Sequence, residues 1–304
     1  MERRLKVKIE PHQAGMTVER LLKGELGMTK REISQMKFRP GGITVAGRQV
    51  RVTHVLTEGE ILEMLLEEAD QGSRHLESSA GKLRILYEDE DLVAVNKPSG
   101  LVVHPSQGHY RDSLANQLVG HYRRNGQEVT VRSIGRLDKD TSGILLFGKH
   151  AQAAARLCRQ REEHIYQRWY LALAAGRFRK SQGKFTGRIG PKPGDPMRMA
   201  VTTDGKPAVT HYQVLSQESG YALLACRLET GRTHQIRVHM AHGGHPLLGD
   251  LLYGESGGAR QLMLHAWKVK CRQPFTGEEL EICAPVPREM QDLCRGWAAE
   301  SALK

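Results

Sequence analysis

The tract from Gly135 to Gly148 reads Gly-Arg-Leu-Asp-Lys-Asp-Thr-Ser-Gly and then Ile-Leu-Leu-Phe-Gly. A cation (Arg136), a carboxylate (Asp138) and small hydroxyl residues (Thr141, Ser142) run directly into an apolar stretch, Ile144 to Phe147. That order describes a polar loop on the lip of a buried strand. A carboxylate held there can act as a nucleophile or as a base in a pocket. Asp138 and Asp140 also fit an ordinary turn, where aspartate is common. No second placed carboxylate joins them at the separation of a glycosidase pair.

Two further tracts offer chemistry. From Leu228 to Met240 a strand ends, Gly231 turns the chain, and Thr233 is placed to cap a helix. Ile236 and Met240 then face the core at i, i+4, with Arg237 at its margin. A guanidinium there suits a carboxylate, because its fork binds both oxygens; a solvent-facing arginine is the alternative. The stretch Arg168-Trp169-Tyr170-Leu171-Ala172 reads as a strand, on which Tyr170 would commonly fill a core. His234, His239, His242 and His245 lie close together, but no Cys, Asp or Glu joins them at a metalloenzyme spacing, and Arg232 and Arg237 repel a cation. No metal is expected.

These three tracts resemble the RluA/RluD-type pseudouridine synthases. The similarity extends over Asn96-Lys97-Pro98-Ser99-Gly100, His104-Pro105, Gly205 to Thr210, Leu264-His265-Ala266 and Pro274. The resemblance implies isomerisation of uridine to pseudouridine within folded RNA, without metal or cofactor. It implies that Asp138 attacks or deprotonates the ribose, and that Tyr170 stacks on the base and helps remove the proton from carbon 5. Arg237 would pair with Asp138, and Arg136 would enter the space left by the turned-out base and touch the phosphate backbone. Two departures stand out: Arg168, placed to contact RNA, replaces the usual lysine, and Gly135 stands where many members have histidine. They leave the target nucleotide open.

The elements that must position these groups divide the chain. Residues 1–68 read as a small unit: Val18, Leu21, Leu22 and Leu26 recur at helical spacing, Thr29 and Glu32 fit a capping box, and Ile33 and Met36 continue the apolar face. Lys30, Arg31 and Lys37 fall on the exposed side, and a glycine-turn hairpin follows from Gly41 to Val50. Residues 1–52 carry twelve Lys/Arg and five Glu, whereas residues 58–70 carry six Asp/Glu and no Lys/Arg. The unit resembles the S-four-like RNA-binding domain, which implies that Lys30, Arg31 and Lys37 contact RNA; a solvated basic helix is the plainer reading. Residues 69–82 read as a flexible linker and residues 83–304 as the catalytic domain. Many short strands and few helices predict an α+β domain with a mixed, largely antiparallel sheet flanked by helices. The basic stretch 177–206 reads as a hairpin or mobile loop that grips phosphates, or as a solvated insertion.

The net charge of the 304-residue chain is +11, which favours a polyanionic partner. Aromatic residues make up only 5%, so base stacking along an extended platform would not dominate. There is no apolar run of membrane length, Met1 to Lys8 lacks the apolar stretch expected of a secretory leader, and the five cysteines show no Cys-x-x-Cys spacing. A cytoplasmic, monomeric RNA enzyme is expected, with ribosomal RNA favoured as substrate and transfer RNA second.

Overall fold

The computed structural model describes residues 3–66, 76–127, 129–217, 220–254 and 259–294. The N-terminal elements are β1 (Arg3–Lys8), α1 (Val18–Gly24), α2 (Lys30–Lys37), β2 (Ile43–Val45), β3 (Arg48–Gln49) and β4 (Ile61–Leu66). Thr17 starts α1 by accepting the Arg20 N–H, and Thr29 starts α2 with a complete capping box. The Thr29 N–H donates to the Glu32 carboxylate at 2.6 Å, and the Glu32 N–H to the Thr29 hydroxyl at 3.2 Å. The four strands form an antiparallel sheet in the order β1-β4-β2-β3. Val18, Leu21, Leu22, Ile33 and Met36 pack on it over Ile43, Leu62 and Met64, a core of its own.

The larger body contains β5 (Ile85–Glu88), β6 (Leu92–Lys97), α3 (Leu114–Arg124), β7 (Arg132–Ser133), β8 (Ser142–Gly148), α4 (Ala151–Glu162) and β9 (Gln167–Ala175). There follow β10 (Gln182–Lys192), β11 (Asp195–Val201), β12 (Lys206–Gln217), β13 (Tyr221–Leu228), α5 (Gln235–His242), β14 (Leu264–Arg272), β15 (Glu279–Cys283) and α6 (Arg288–Leu293). The main path of the sheet runs β11-β10-β12-β13-β9-β14-β8-β6-β5, with β15 on β14 and β7 on β8. Among the described pairs only β14 and β8 run parallel, so the class is α+β with a mixed, largely antiparallel sheet. The 177–206 stretch forms the β10–β11 hairpin, and β10 pairs in turn with β12. The C-terminal helix α6 starts at Arg288, and residues past 294 lie outside the described ones.

Strand alternation explains how one sheet serves two cores. Tyr170, Ala172 and Ala174 of β9 face one side, with Leu114, Leu118 and Leu157 of α3 and α4. Leu171 and Leu173 face the other, with Trp267, Val286 and Met290. Buried on both sides, β8 has no polar face, and its backbone comes very close to β14. A Cβ on Gly143 (φ +111°) would lie 2.1 Å from the Ala266 carbonyl oxygen, so only glycine fits. Of the expected linker, residues 69–75 lie outside the described ones. Residues 76–82 lie along α3, where the Asn116 side-chain amide donates to the Glu77 carbonyl at 2.8 Å.

Candidate active site

The loop between β7 and β8 carries Asp138 and is fixed from beneath. Lys97, fully buried at the end of β6, donates to the carbonyls of Pro98 (2.9 Å), Leu101 (2.8 Å) and Lys139 (2.7 Å). The Ser99 hydroxyl donates to the Asp140 carbonyl at 2.7 Å. The Asn96–Gly100 turn therefore clips the backbone on the C-terminal side of Asp138. Burial pushes the Lys97 amine down to about 7, while Asp140 and Asp138 pull it back up. Leu137 is buried beside Asp138, whose own side chain stays 26% exposed. A buried residue beside a half-exposed one aims the carboxylate outward.

Arg237 reaches this loop from α5. One of its terminal nitrogens lies 3.6 Å from the Asp138 carboxylate. Its nearest partner is Asp250, which it binds with both prongs of the fork at 2.8 and 2.7 Å. Asp250 is fully buried and also accepts the Leu252 and Tyr253 N–H groups, each at 3.1 Å. Burial works against the Arg237 charge, but the hydrogen bonds and charge of Asp250 outweigh it and hold the pKa above its ordinary value. The expected pairing of Arg237 with Asp138 is present as a longer contact, and the two-pronged bond goes elsewhere. Asp250 was not singled out in the sequence. Its signal was a lone carboxylate in the apolar run Leu247-Leu248-Gly249-Asp250-Leu251-Leu252, where an unpaired acid would be costly.

Tyr170 is 4% exposed, with the Arg168 guanidinium 5.8 Å from its ring centre. Burial raises its phenol pKa; Arg168 opposes this and Asp138 adds to it, so the phenol is protonated at neutral pH. His234 starts α5 in a left-handed conformation (φ 56°), and its Nδ1 shares a 2.7 Å hydrogen bond with the Tyr253 hydroxyl. The expected Thr233 cap is therefore replaced. Gln235 turns its side chain back instead, accepting the Arg232 N–H at 3.0 Å and the Thr230 hydroxyl at 2.8 Å. Of the other clustered histidines, His239 bonds Thr210 and His245 bonds the Ala175 carbonyl.

Asp138, Tyr170 and Arg237 line one cavity of about 430 Å³, together with Arg136, Arg161, Arg168, Arg232 and His234. That volume suits a small organic group. The arginines give its walls a strong positive charge. Lys30, Arg31 and Lys37 do not line it; they stand exposed on α2.

A sequence model described as RNA pseudouridylate synthase matches residues 91–242. The RNA pseudouridine synthase YjbO of Bacillus subtilis, itself uncharacterised, is 39% identical over 277 residues, covering 90% of this chain and 96% of that protein. This chain belongs to the RNA pseudouridine synthase family. The synthase is also 35% identical to ribosomal large subunit pseudouridine synthase D of Nitrosomonas europaea over 303 residues, covering 96% of this chain and 87% of that one. Its structure resembles human RNA pseudouridylate synthase domain containing 1, with a TM-score of 0.58 at 29% identity, over 69% of this chain and 86% of that one. The matched span of the synthase holds Asp138, Tyr170 and Arg237, whereas Asp250 and the N-terminal unit fall outside it. Among the described residues no helix is long and apolar enough to cross a membrane.

Proposed function

We propose that this synthase converts uridine to pseudouridine in ribosomal RNA of the large subunit, with Asp138 as its reacting carboxylate. The relatives named for the ribosomal large subunit support the substrate. The observation that carries the chemistry is the cavity itself: one half-exposed carboxylate, Asp138, beside a buried arginine and a buried tyrosine. A uracil inside folded RNA has to leave its stack to enter such a cavity. Arg136, exposed at the rim, is placed to take up the vacated space or the backbone next to it.

In this reading Asp138, as nucleophile or base, promotes breakage of the bond between the ribose and uracil nitrogen 1. The base turns while held, and carbon 5 forms the new bond to the same sugar carbon. Carbon 5 loses a proton and nitrogen 1 gains one, so atoms balance without a redox partner. Arg237, locked by Asp250, orients Asp138. Tyr170, protonated and buried against the cavity, is suited to stacking on the base and donating a hydrogen bond; to take the carbon 5 proton it would first have to lose its own.

We also propose that residues 1–68 form an RNA-binding unit, with Lys30, Arg31 and Lys37 on phosphates. The exposure of all three on one capped helix supports this. A cytoplasmic site of action goes with a ribosomal substrate.

The test is a map of pseudouridines in ribosomal and transfer RNA from cells lacking the protein and from cells given it back as wild type or Asp138→Asn. Sites should vanish and return with the wild type alone. In vitro, Asp138→Asn should abolish turnover yet keep RNA affinity within about tenfold, because phosphate contacts carry most of the binding. Binding lost in step with activity would contradict that division of roles.

A further inference from the structure

Two of the cavity's guanidiniums converge without a carboxylate between them. Gly135 precedes the Arg136-Leu137-Asp138 loop at φ +81°, a conformation that favours glycine. A Cβ built on it would lie 3.0 Å from Nη1 of Arg161 and 3.5 Å from Nη2 of Arg168. Arg161 comes from the last turn of α4 and Arg168 from β9, so separate elements bring both charges to one spot. Arg168 is steadied by donating to the Arg136 carbonyl at 3.4 Å. Among the described residues neither arginine pairs with a carboxylate. Glu162 lines the same cavity and bonds neither.

A third group points the same way. Tyr166 is 4% exposed and lines the cavity, and its hydroxyl has no hydrogen-bond partner. Burial pushes its phenol pKa well up, so the hydroxyl keeps its proton and is a donor in want of an acceptor. Two like charges held together and one idle buried donor are unfavourable alone and favourable around an anion. A neutral base edge would satisfy the hydroxyl but leave the charges opposed. A phosphodiester answers all three, since its two free oxygens accept from both guanidinium forks and from the phenol.

We infer that Arg161, Arg168 and Tyr166 form a phosphate subsite of the cavity, taking one phosphodiester of the substrate strand beside the turned-out nucleotide. This rests on the reading of the cavity as the uridine site. Gly135 leaves room beside the site: a Cβ there would lie 3.0 Å from Nη1 of Arg161, and the guanidinium would have to shift. The subsite fixes the strand's register and so helps choose which uridine reaches Asp138.

The test uses the full chain and unmodified ribosomal RNA transcripts, with Arg161→Gln, Arg161→Lys and Tyr166→Phe. Arg161 is exposed, so its replacement should not disturb folding. Arg161→Gln should weaken binding about tenfold at low salt and lower the slope of log affinity against log salt by about one. Arg161→Lys should restore the slope. Tyr166→Phe should raise KM more than it lowers kcat, with thermal stability kept or raised, because only an idle hydroxyl is lost. Wild-type turnover combined with an Arg161→Gln variant of unchanged affinity and slope would overturn the subsite alone. A wild-type protein inert on ribosomal and transfer RNA would overturn the reading of the cavity, and the subsite with it.

Discussion

Arg237 meets two carboxylates, and they are unequal. The buried Asp250 takes both prongs, which leaves Asp138 a third nitrogen at 3.6 Å. Asp250 thus acts through the arginine, fixing the angle at which positive charge meets Asp138. Asp250→Asn should leave the buried guanidinium only its longer contact to Asp138 as a charge partner, a loss of up to roughly 3–5 kcal/mol, visible as a lower denaturant midpoint. Turnover should fall as well, with RNA affinity nearly kept; a variant as active as wild type would show that Arg237 needs no anchor. Lys97 gives a pH-dependent prediction. Its amine is pushed down to about 7 by burial when folded, against 10.5 as its ordinary value. Between those values the unfolded chain holds the proton more tightly, so stability should rise from pH 7 to pH 10 and level off at its lower value below pH 7. Lys97→Met should flatten that rise in urea titrations at pH 7 and pH 9. Asp138, Tyr170 and Arg237 stand out in the sequence through the resemblance of their tracts to the synthases; pattern alone left an ordinary turn, a core tyrosine and a solvent-facing arginine open. Asp250 and Lys97 were harder to read, since their roles come from partners 13 and 42 residues away.

Elements place these residues, and patterning revealed most of the elements. Runs such as Leu92 to Val95 and Ile144 to Phe147 announce buried strands, and β6 and β8 form there. β14 carries a weaker strand signal, because His265, Lys268 and Lys270 interrupt its apolar pattern. Those polar groups are tolerated through particular partners: His265 bonds Ser142 at 2.9 Å, and Lys268 and Lys270 both reach Glu281 on β15. The start of α5 misled for a related reason. Thr233 has the right chemistry for a cap, but Gln235 does the work by hydrogen bonding over several turns of chain. Its amide donates to the Val209 carbonyl (3.0 Å) and the Thr210 hydroxyl (3.1 Å) while its oxygen accepts from Thr230 and Arg232. That one side chain ties α5, and therefore Arg237, to β12. Gln235→Leu should strand several buried polar groups, at about 1–3 kcal/mol each. The melting temperature should drop and kcat should fall more than RNA affinity; an unchanged kcat would mean that α5 is held by its apolar face alone.

At the scale of the whole molecule, the question is whether the N-terminal unit is a passenger or a second hand on the RNA. It has its own sheet and core, yet it is joined to the larger body by side chains. Arg159 of α4 donates to the Gly27 carbonyl at 3.0 Å, and Phe275 packs against the N-terminal core. The Arg156 guanidinium lies 4.1 Å from the Phe275 ring centre. Gly27 immediately precedes the segment that starts α2, so the helix bearing Lys30, Arg31 and Lys37 is anchored next to its N-terminus. A docked unit holds its cations at a set distance from Asp138, so it favours RNAs in which phosphates and the target uridine are spaced to match. Removing residues 1–68 would also uncover Phe275, which confuses lost contacts with damage to the body. The cleaner variant replaces Lys30, Arg31 and Lys37 with glutamine, all three exposed on α2. It should lower the salt slope of binding to long ribosomal RNA by roughly two to three units and weaken that binding. With a short RNA that spans only the cavity, affinity and turnover should match wild type. Equal losses on short and long RNA would place these cations beside the cavity's strand instead, and an unchanged slope on both would show that α2 touches no phosphate.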